Sequence, residues 1–288
     1  MTVKHTGLRI DAQTSPLLLL GGTGQVGRFL LPRLLDEGAP VIAVSRRVPD
    51  FSRPGLTWLQ QDLMHEPADV QTHTMLSAGP LNLALSQAER MPDLQSLVVL
   101  SSASVIFKKR SPDPEERRVI ESMLTAERNL QQLAEKRGMN LTILRPTLIY
   151  GVPELSALKT ISGWLEHRRW VPTAGDGLRQ PIHADDLAGL MISLIATGVP
   201  ENRVFELGGG ETLTYSMLVR RIAASMGVDP SVYRFPAWTI RSALWLAHSV
   251  GRFKSVGAAM LSRQRMDLVV DDTEARRQLG WNPRPFRP

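Results

Sequence analysis

Leu17-Leu18-Leu19-Leu20 runs directly into Gly21-Gly22-Thr23-Gly24-Gln25-Val26-Gly27, and this junction constrains the chain more than any other feature. Four apolar residues stopped by glycine read as a short buried strand. The apolar positions that follow, Val26, Phe29, Leu30, Leu34 and Leu35, recur at helical spacing until Gly38. Strand, glycine turn and helix therefore come in that order, which is the context such a motif needs before it carries meaning. Glycines at 21, 24 and 27 permit a tight turn, close approach of a pyrophosphate, and close packing of helix on strand; the set 22, 24 and 27 also fits. Free N–H groups at the helix start attract phosphates. Gly21, Thr23, Gly24, Gln25, Val26 and Gly27 are thus candidate dinucleotide ligands. The competing reading is a glycine-rich corner with no ligand.

The same rhythm continues. Apolar runs predict strands at 41–44, 57–59, 74–76, 97–100 and 141–144, with a long helix from Pro114 to Arg137. Strands alternating with helices, several of them apolar throughout, imply a parallel sheet covered on both faces. Beyond Arg145-Pro146, closely spaced Gly and Pro break the pattern into short pieces before a helix at 184–196, a strand at 204–207, a glycine turn at 208–210 and an amphipathic stretch at 214–226. Apolar helices follow over 236–261, where Trp238, Leu244, Trp245 and His248 either line a pocket or simply pack. The expected fold class is α/β: a Rossmann-type doubly wound parallel sheet over residues 1–150, rejoined by about 180–208, with a small, mostly helical substrate lobe from the rest of 151–288.

An NAD site usually offers an acidic residue about 20 positions after the glycines, to bond the ribose hydroxyls. This chain has Ser45-Arg46-Arg47 instead. A hydroxyl beside guanidiniums suits a 2′-phosphate, which a carboxylate would repel, so NADP is preferred over NAD, with Ser45 and Arg46 as ligands. Asp62, after the third strand, is placed to bond the adenine. A solvated basic loop is the plainer account of the arginines. The net charge is +6, and 28 of the 34 basic residues are arginine, spread as pairs rather than massed in a block. That spread argues against a nucleic-acid partner. The chain has no cysteine, which excludes thiol nucleophiles, disulfides and thiolate metal sites. No metal is expected. With no secretory pattern at the N-terminus and no apolar run of membrane-spanning length, the expected location is cytoplasmic.

Further segments occur in a telling order: Ser101-Ser102-Ala103-Ser104-Val105, Leu144-Arg145-Pro146, Tyr150-Gly151, Gln180-Pro181-Ile182-His183-Ala184-Asp185-Asp186, Phe205-Glu206-Leu207-Gly208, and Leu279-Gly280-Trp281-Asn282-Pro283. From Leu18 to Pro288 the chain resembles the short-chain dehydrogenase/reductase superfamily, in its extended and atypical branch of epimerases and dehydratases. The resemblance implies Ser102 as a catalytic serine that orients substrate, Pro146 among the cofactor contacts, and Arg179 as a ligand of a nucleotide-sugar diphosphate. It also implies a Tyr and, four residues later, a Lys that carry the proton chemistry. Glu127 aligns with the family's glutamate, which puts Val119 at the tyrosine position and Met123 at the lysine position. Tyr150, Tyr215 and Tyr233 are followed at four by Glu154, Val219 and Ala237, so no Tyr-x-x-x-Lys pair exists in the chain. Arg117, Arg118, Glu121 and Ser122 flank the vacant positions and read as a charged helix surface. His183 with Asp185 reads as a strand-to-helix junction, with Asp185 or Asp186 capping a helix that begins near Leu187.

The implied function is an NAD(P)-binding, epimerase/dehydratase-like protein: an oxidoreductase or nucleotide-sugar-modifying enzyme with non-standard catalytic residues. The alternative is a catalytically inactive NAD(P)-sensing regulator or scaffold. The expected partner is a small molecule, with a nucleotide sugar as the leading class and a homodimer as an allowed assembly.

Overall fold

The computed structural model describes residues 16–156, 158–168, 170–198, 202–236, 238–239 and 263–288. Leu244, Trp245 and His248, read as pocket-lining or packing residues, lie outside them. β1 (Leu17–Leu20) leads through the glycine turn into α1 (Gly27–Asp36), followed by β2 (Val41–Ser45), β3 (Leu56–Gln60) and β4 (Thr74–Ser77). Next come α2 (Leu81–Glu89), β5 (Ser96–Leu100), the single-turn α3 (Ser104–Phe107), α4 (Pro114–Arg137) and β6 (Asn140–Pro146). A less regular stretch holds β7 (Ile149–Tyr150), α5 (Lys159–Leu165), β8 (Trp170–Thr173), β9 (Leu178–Arg179) and β10 (Ile182–His183). The chain then forms α6 (Ala184–Thr197), β11 (Arg203–Leu207), β12 (Leu213–Thr214), α7 (Tyr215–Ser225), β13 (Ser231–Arg234) and α8 (Thr273–Leu279).

Seven strands make one sheet in the order β11-β6-β5-β4-β1-β2-β3, and every pairing in it is parallel. The chain order reverses between β1 and β4, so the crevice at the carboxyl ends of those strands is where a doubly wound sheet accepts a ligand. The glycine turn stands there. Side chains alternate between faces along each strand: Leu17 and Leu19 enter a core shared with α1 and α6, while Leu18 and Leu20 enter a second core shared with α2 and α4. All four leucines are buried, which is why the run carries no polar alternation. β3, the weakest of the expected strands, is the edge of the sheet and only partly buried.

α4 takes the limits its sequence predicts. Asp113 caps its start by accepting the Glu115 N–H at 2.9 Å, Pro114 opens it, and Gly138 closes it in a left-handed conformation at φ 64°. α6 departs from expectation at its cap. It begins at Ala184, as the helix read at 184–196 predicts, but its cap is His183, whose Nδ1 accepts the Asp185 N–H at 3.1 Å. Neither expected aspartate caps it, because both are engaged by arginines: Asp185 by Arg33 and Arg284, Asp186 by Arg284.

A third core gathers Tyr150, Ile161, Leu165, Leu218, Ile222 and Phe286. Its described elements combine the helices α5 and α7 with two-stranded ribbons, β13 on β8 and β12 on β9, while most of the expected helical stretch 236–261 lies outside the described residues. Arg179 fastens this region. Its guanidinium donates to the carbonyls of Leu178, Met266 and Arg263 at 2.6, 2.8 and 2.7 Å. Arg263 in turn donates to Glu116 at the start of α4.

Candidate functional site

Two glycines show why the turn has its sequence. Gly21 sits at φ 76°, and a Cβ there would stand 2.5 Å from the Gly79 nitrogen beyond β4. A Cβ on Gly27 would stand 2.1 Å from the Gly21 carbonyl oxygen, so α1 can start this close to β1 only without a side chain. The Gly24 N–H bonds the Gly21 carbonyl at 2.9 Å, which closes the turn, and no side chain caps the helix at Val26. A helix start of this kind favours an anion, and the residues present fit the phosphates of a dinucleotide.

Beside the turn lies a cavity of about 1040 Å³. Gly22, Thr23 and Gly27 border it on the turn side, Ser45, Arg46 and Arg47 form the rim beyond β2, and Phe51 and Trp58 supply an apolar wall. Arg46 and Arg47 have no ion-pair partner among the described residues, whereas Arg33, Arg53, Arg145, Arg221 and Arg276 each have one. The Ser45 hydroxyl donates to the Arg47 carbonyl at 2.7 Å and so shapes this rim. Arg28 also lines the cavity. The sequence reading missed it, although its place directly after the last motif glycine was a usable signal.

The remaining candidates are dispersed. Asp62 follows β3 and is not part of the cavity wall; its Oδ1 accepts the Met64 N–H at 3.0 Å and its Oδ2 is 3.4 Å from His65 Nδ1. Ser102 follows β5, and its Oγ accepts the Ser104 N–H at 3.1 Å, shaping the entry to α3. Pro146 ends β6, where its carbonyl accepts the Ala103 N–H at 2.9 Å. Arg179, expected to face a diphosphate, is instead 7% exposed and occupied by the three carbonyls above; burial lowers its pKa. Val119 and Met123 stand one turn apart on α4, Val119 exposed and Met123 partly buried. Arg118, Glu121 and Ser122 beside them are exposed, as a charged helix surface should be.

Glu127, the residue used to align α4, is 1% exposed. It accepts from the Ser101 hydroxyl at 2.5 Å and from Arg145, whose Nε lies at 3.0 Å and whose Nη2 makes a second bond. That hydrogen-bonded partner raises the Arg145 pKa despite burial. Tyr150 is packed: its ring meets Phe286 edge to face at 4.8 Å, and burial pushes its hydroxyl pKa up. Burial, then the charge of Arg284, lowers the pKa of His183. Among the described residues no three metal-ligating side chains converge, and no helix is long and apolar enough to cross a membrane.

Residues 17–79 match the model of the NAD dependent epimerase/dehydratase family. That match covers the first strand, the glycine turn and the strands and helix up to the end of β4. The UDP-glucose 4-epimerase of Vibrio cholerae is 23% identical over 216 residues, covering 72% of this chain and 63% of that enzyme. The fold extends further than the family match. An epimerase from Methanothermobacter thermautotrophicus superposes with a TM-score of 0.69 at 16% identity, over 95% of this chain and 89% of the other. UDP-glucuronic acid 4-epimerase from Bacillus cereus, solved in complex with NAD, superposes with a TM-score of 0.68 at 14% identity, over 94% and 92% of the two chains. The fold of these solved epimerases thus extends well beyond residues 17–79, on a chain whose three tyrosines include none followed at four by lysine.

Proposed function

We propose that this chain binds NADP through the glycine turn and the arginine-rimmed cavity, and acts in the epimerase/dehydratase class on a small molecule such as a nucleotide sugar. Residues up to about 150, with 180–208, form the cofactor half, and most of 151–288 forms the substrate half. The observation that carries the reading is the cavity itself, which joins Gly22 and Thr23 of the turn to Ser45, Arg46 and Arg47. Backbone N–H groups at the start of α1 hold the pyrophosphate. Arg46 and Ser45 hold the 2′-phosphate, where a guanidinium gives charge-assisted bonds that a ribose hydroxyl cannot match. Pro146 borders the cofactor at the end of β6. When bound, the nicotinamide supplies hydride exchange. Ser102 orients the substrate's carbonyl or alcohol. A lone serine hydroxyl is a poor base at neutral pH, so proton transfer depends on water or on the substrate's own groups.

A second reading has one specific observation in its favour. With no tyrosine in the chain followed at four by a lysine, the protein binds the dinucleotide as a regulator or scaffold and turns nothing over. Thermal unfolding with NADPH, NADH and UDP-sugars tests the binding, since a ligand of the native state raises stability with its concentration. NADPH is expected to raise the midpoint more than NADH, and Arg46→Ala to remove the difference. No shift with either dinucleotide at millimolar concentration would overturn the proposal. Turnover of UDP-sugars by the wild-type protein then separates enzyme from scaffold; Val119→Tyr with Met123→Lys is expected to raise turnover if the remaining site is competent.

A further inference from the structure

Arg28 belongs to two places at once. It lines the cavity beside Arg46 and Arg47, and its Nη1 stands 3.8 Å from the Glu154 carboxylate. Glu154 lies on the short turn Pro153–Leu155, which leads from β7 toward α5 and the third core. Both side chains are more than half exposed, so this pair is loose and easily exchanged for a better partner. Arg28 also occupies the first turn of α1, which holds no acidic residue, while the first turns of α4 and α6 hold two each. A cation there opposes the helix dipole and gains from a nearby anion.

We infer that Arg28 is a specificity-determining residue shared between the cofactor's 2′-phosphate and Glu154. A dianionic phosphate in the cavity draws the guanidinium off the single carboxylate, so the cofactor that carries this phosphate releases the turn at Pro153–Leu155 and the one that lacks it does not. Glu154 is in the same way a competitor that weakens NADP binding. This rests on the cofactor reading above.

The test is calorimetric titration of the whole chain with NADPH and NADH at low ionic strength. Glu154→Gln is expected to tighten NADPH binding by roughly two- to fivefold, the range of an exposed ion pair, and to leave NADH unchanged. Arg28→Ala is expected to weaken NADPH by about tenfold, as loss of a charged hydrogen-bond donor does, and to abolish the Glu154→Gln gain in the double variant. The gain should shrink in high salt. Unfolding midpoints of the unliganded variants show that each folds. If NADPH does not bind the wild type, the cofactor reading falls and takes this inference with it. If NADPH binds and Glu154→Gln leaves its affinity unchanged, or tightens NADH equally, the role of Arg28 alone is overturned.

Discussion

Glu127 on α4 and Arg145 on β6 form a buried ion pair in which the arginine's Nε stands 3.0 Å from the carboxylate, and the Ser101 hydroxyl completes the carboxylate's bonding. The pair ties the long helix to the sheet just where β5 and β6 end. Removing one partner strands the other's charge in a low-dielectric setting. Glu127→Ala is therefore expected to destabilise the fold by about 3–5 kcal/mol. Glu127→Gln, which keeps an acceptor, should do less harm. Urea unfolding of the two variants checks the order.

Gly27→Ala places a Cβ 2.1 Å from the Gly21 carbonyl oxygen. Backbone has to move to relieve that overlap, at roughly 1–3 kcal/mol, and the displaced turn loses its fit to a pyrophosphate. The expected result is a lower midpoint and no further rise on adding NADPH, read in one thermal-shift series.

Phe286, at 1% exposure, packs edge to face on Tyr150, while its N–H bonds Glu211 at 2.7 Å and its carbonyl accepts from Arg221 at 3.2 Å. The end of the chain is thus a strap over the third core. Phe286→Ala is expected to lower stability by about 3–5 kcal/mol. Proteolysis should then open the lobe before the sheet.

His183 sits between the rings of Phe29 and Tyr150 and caps α6 through Nδ1. Its folded-state pKa lies below the ordinary 6.5, burial being the main cause. Protons therefore favour the unfolded chain, and this stability is present above pH 6.5 and lost as pH falls below it. Asp185 contributes with the same sign in a more acidic window: burial raises its pKa, but Arg284 and Arg33 outweigh this and hold it below 3.8. His183→Asn, which keeps a capping acceptor, should remove the first phase of acid destabilisation and leave the second. Unfolding midpoints across pH 3 to 8 would show whether the first phase persists, contrary to expectation.

Local order was legible wherever short-range physics decides it. Leu17–Leu20, the glycine turn and α4 from Pro114 to Arg137 follow from residues within a few positions of one another: a fully apolar run, a spacing of small residues, an Asp-Pro start and a glycine stop. Alternation of strand and helix likewise implied the parallel sheet, since a parallel pair needs a crossover between its strands. Contacts between residues far apart in the chain were decided only by the tertiary structure. His183 rather than an aspartate caps α6 because Arg33 and Arg284 converge on Asp185. Arg179 turns to backbone carbonyls of Leu178, Arg263 and Met266, a choice set by desolvation and geometry rather than by residue type. Arg28 meets Glu154 across more than a hundred residues of chain, and nothing local to either signals it. Residue type states which bonds a side chain can make, while folding determines which partner stands within about 3 Å to make them.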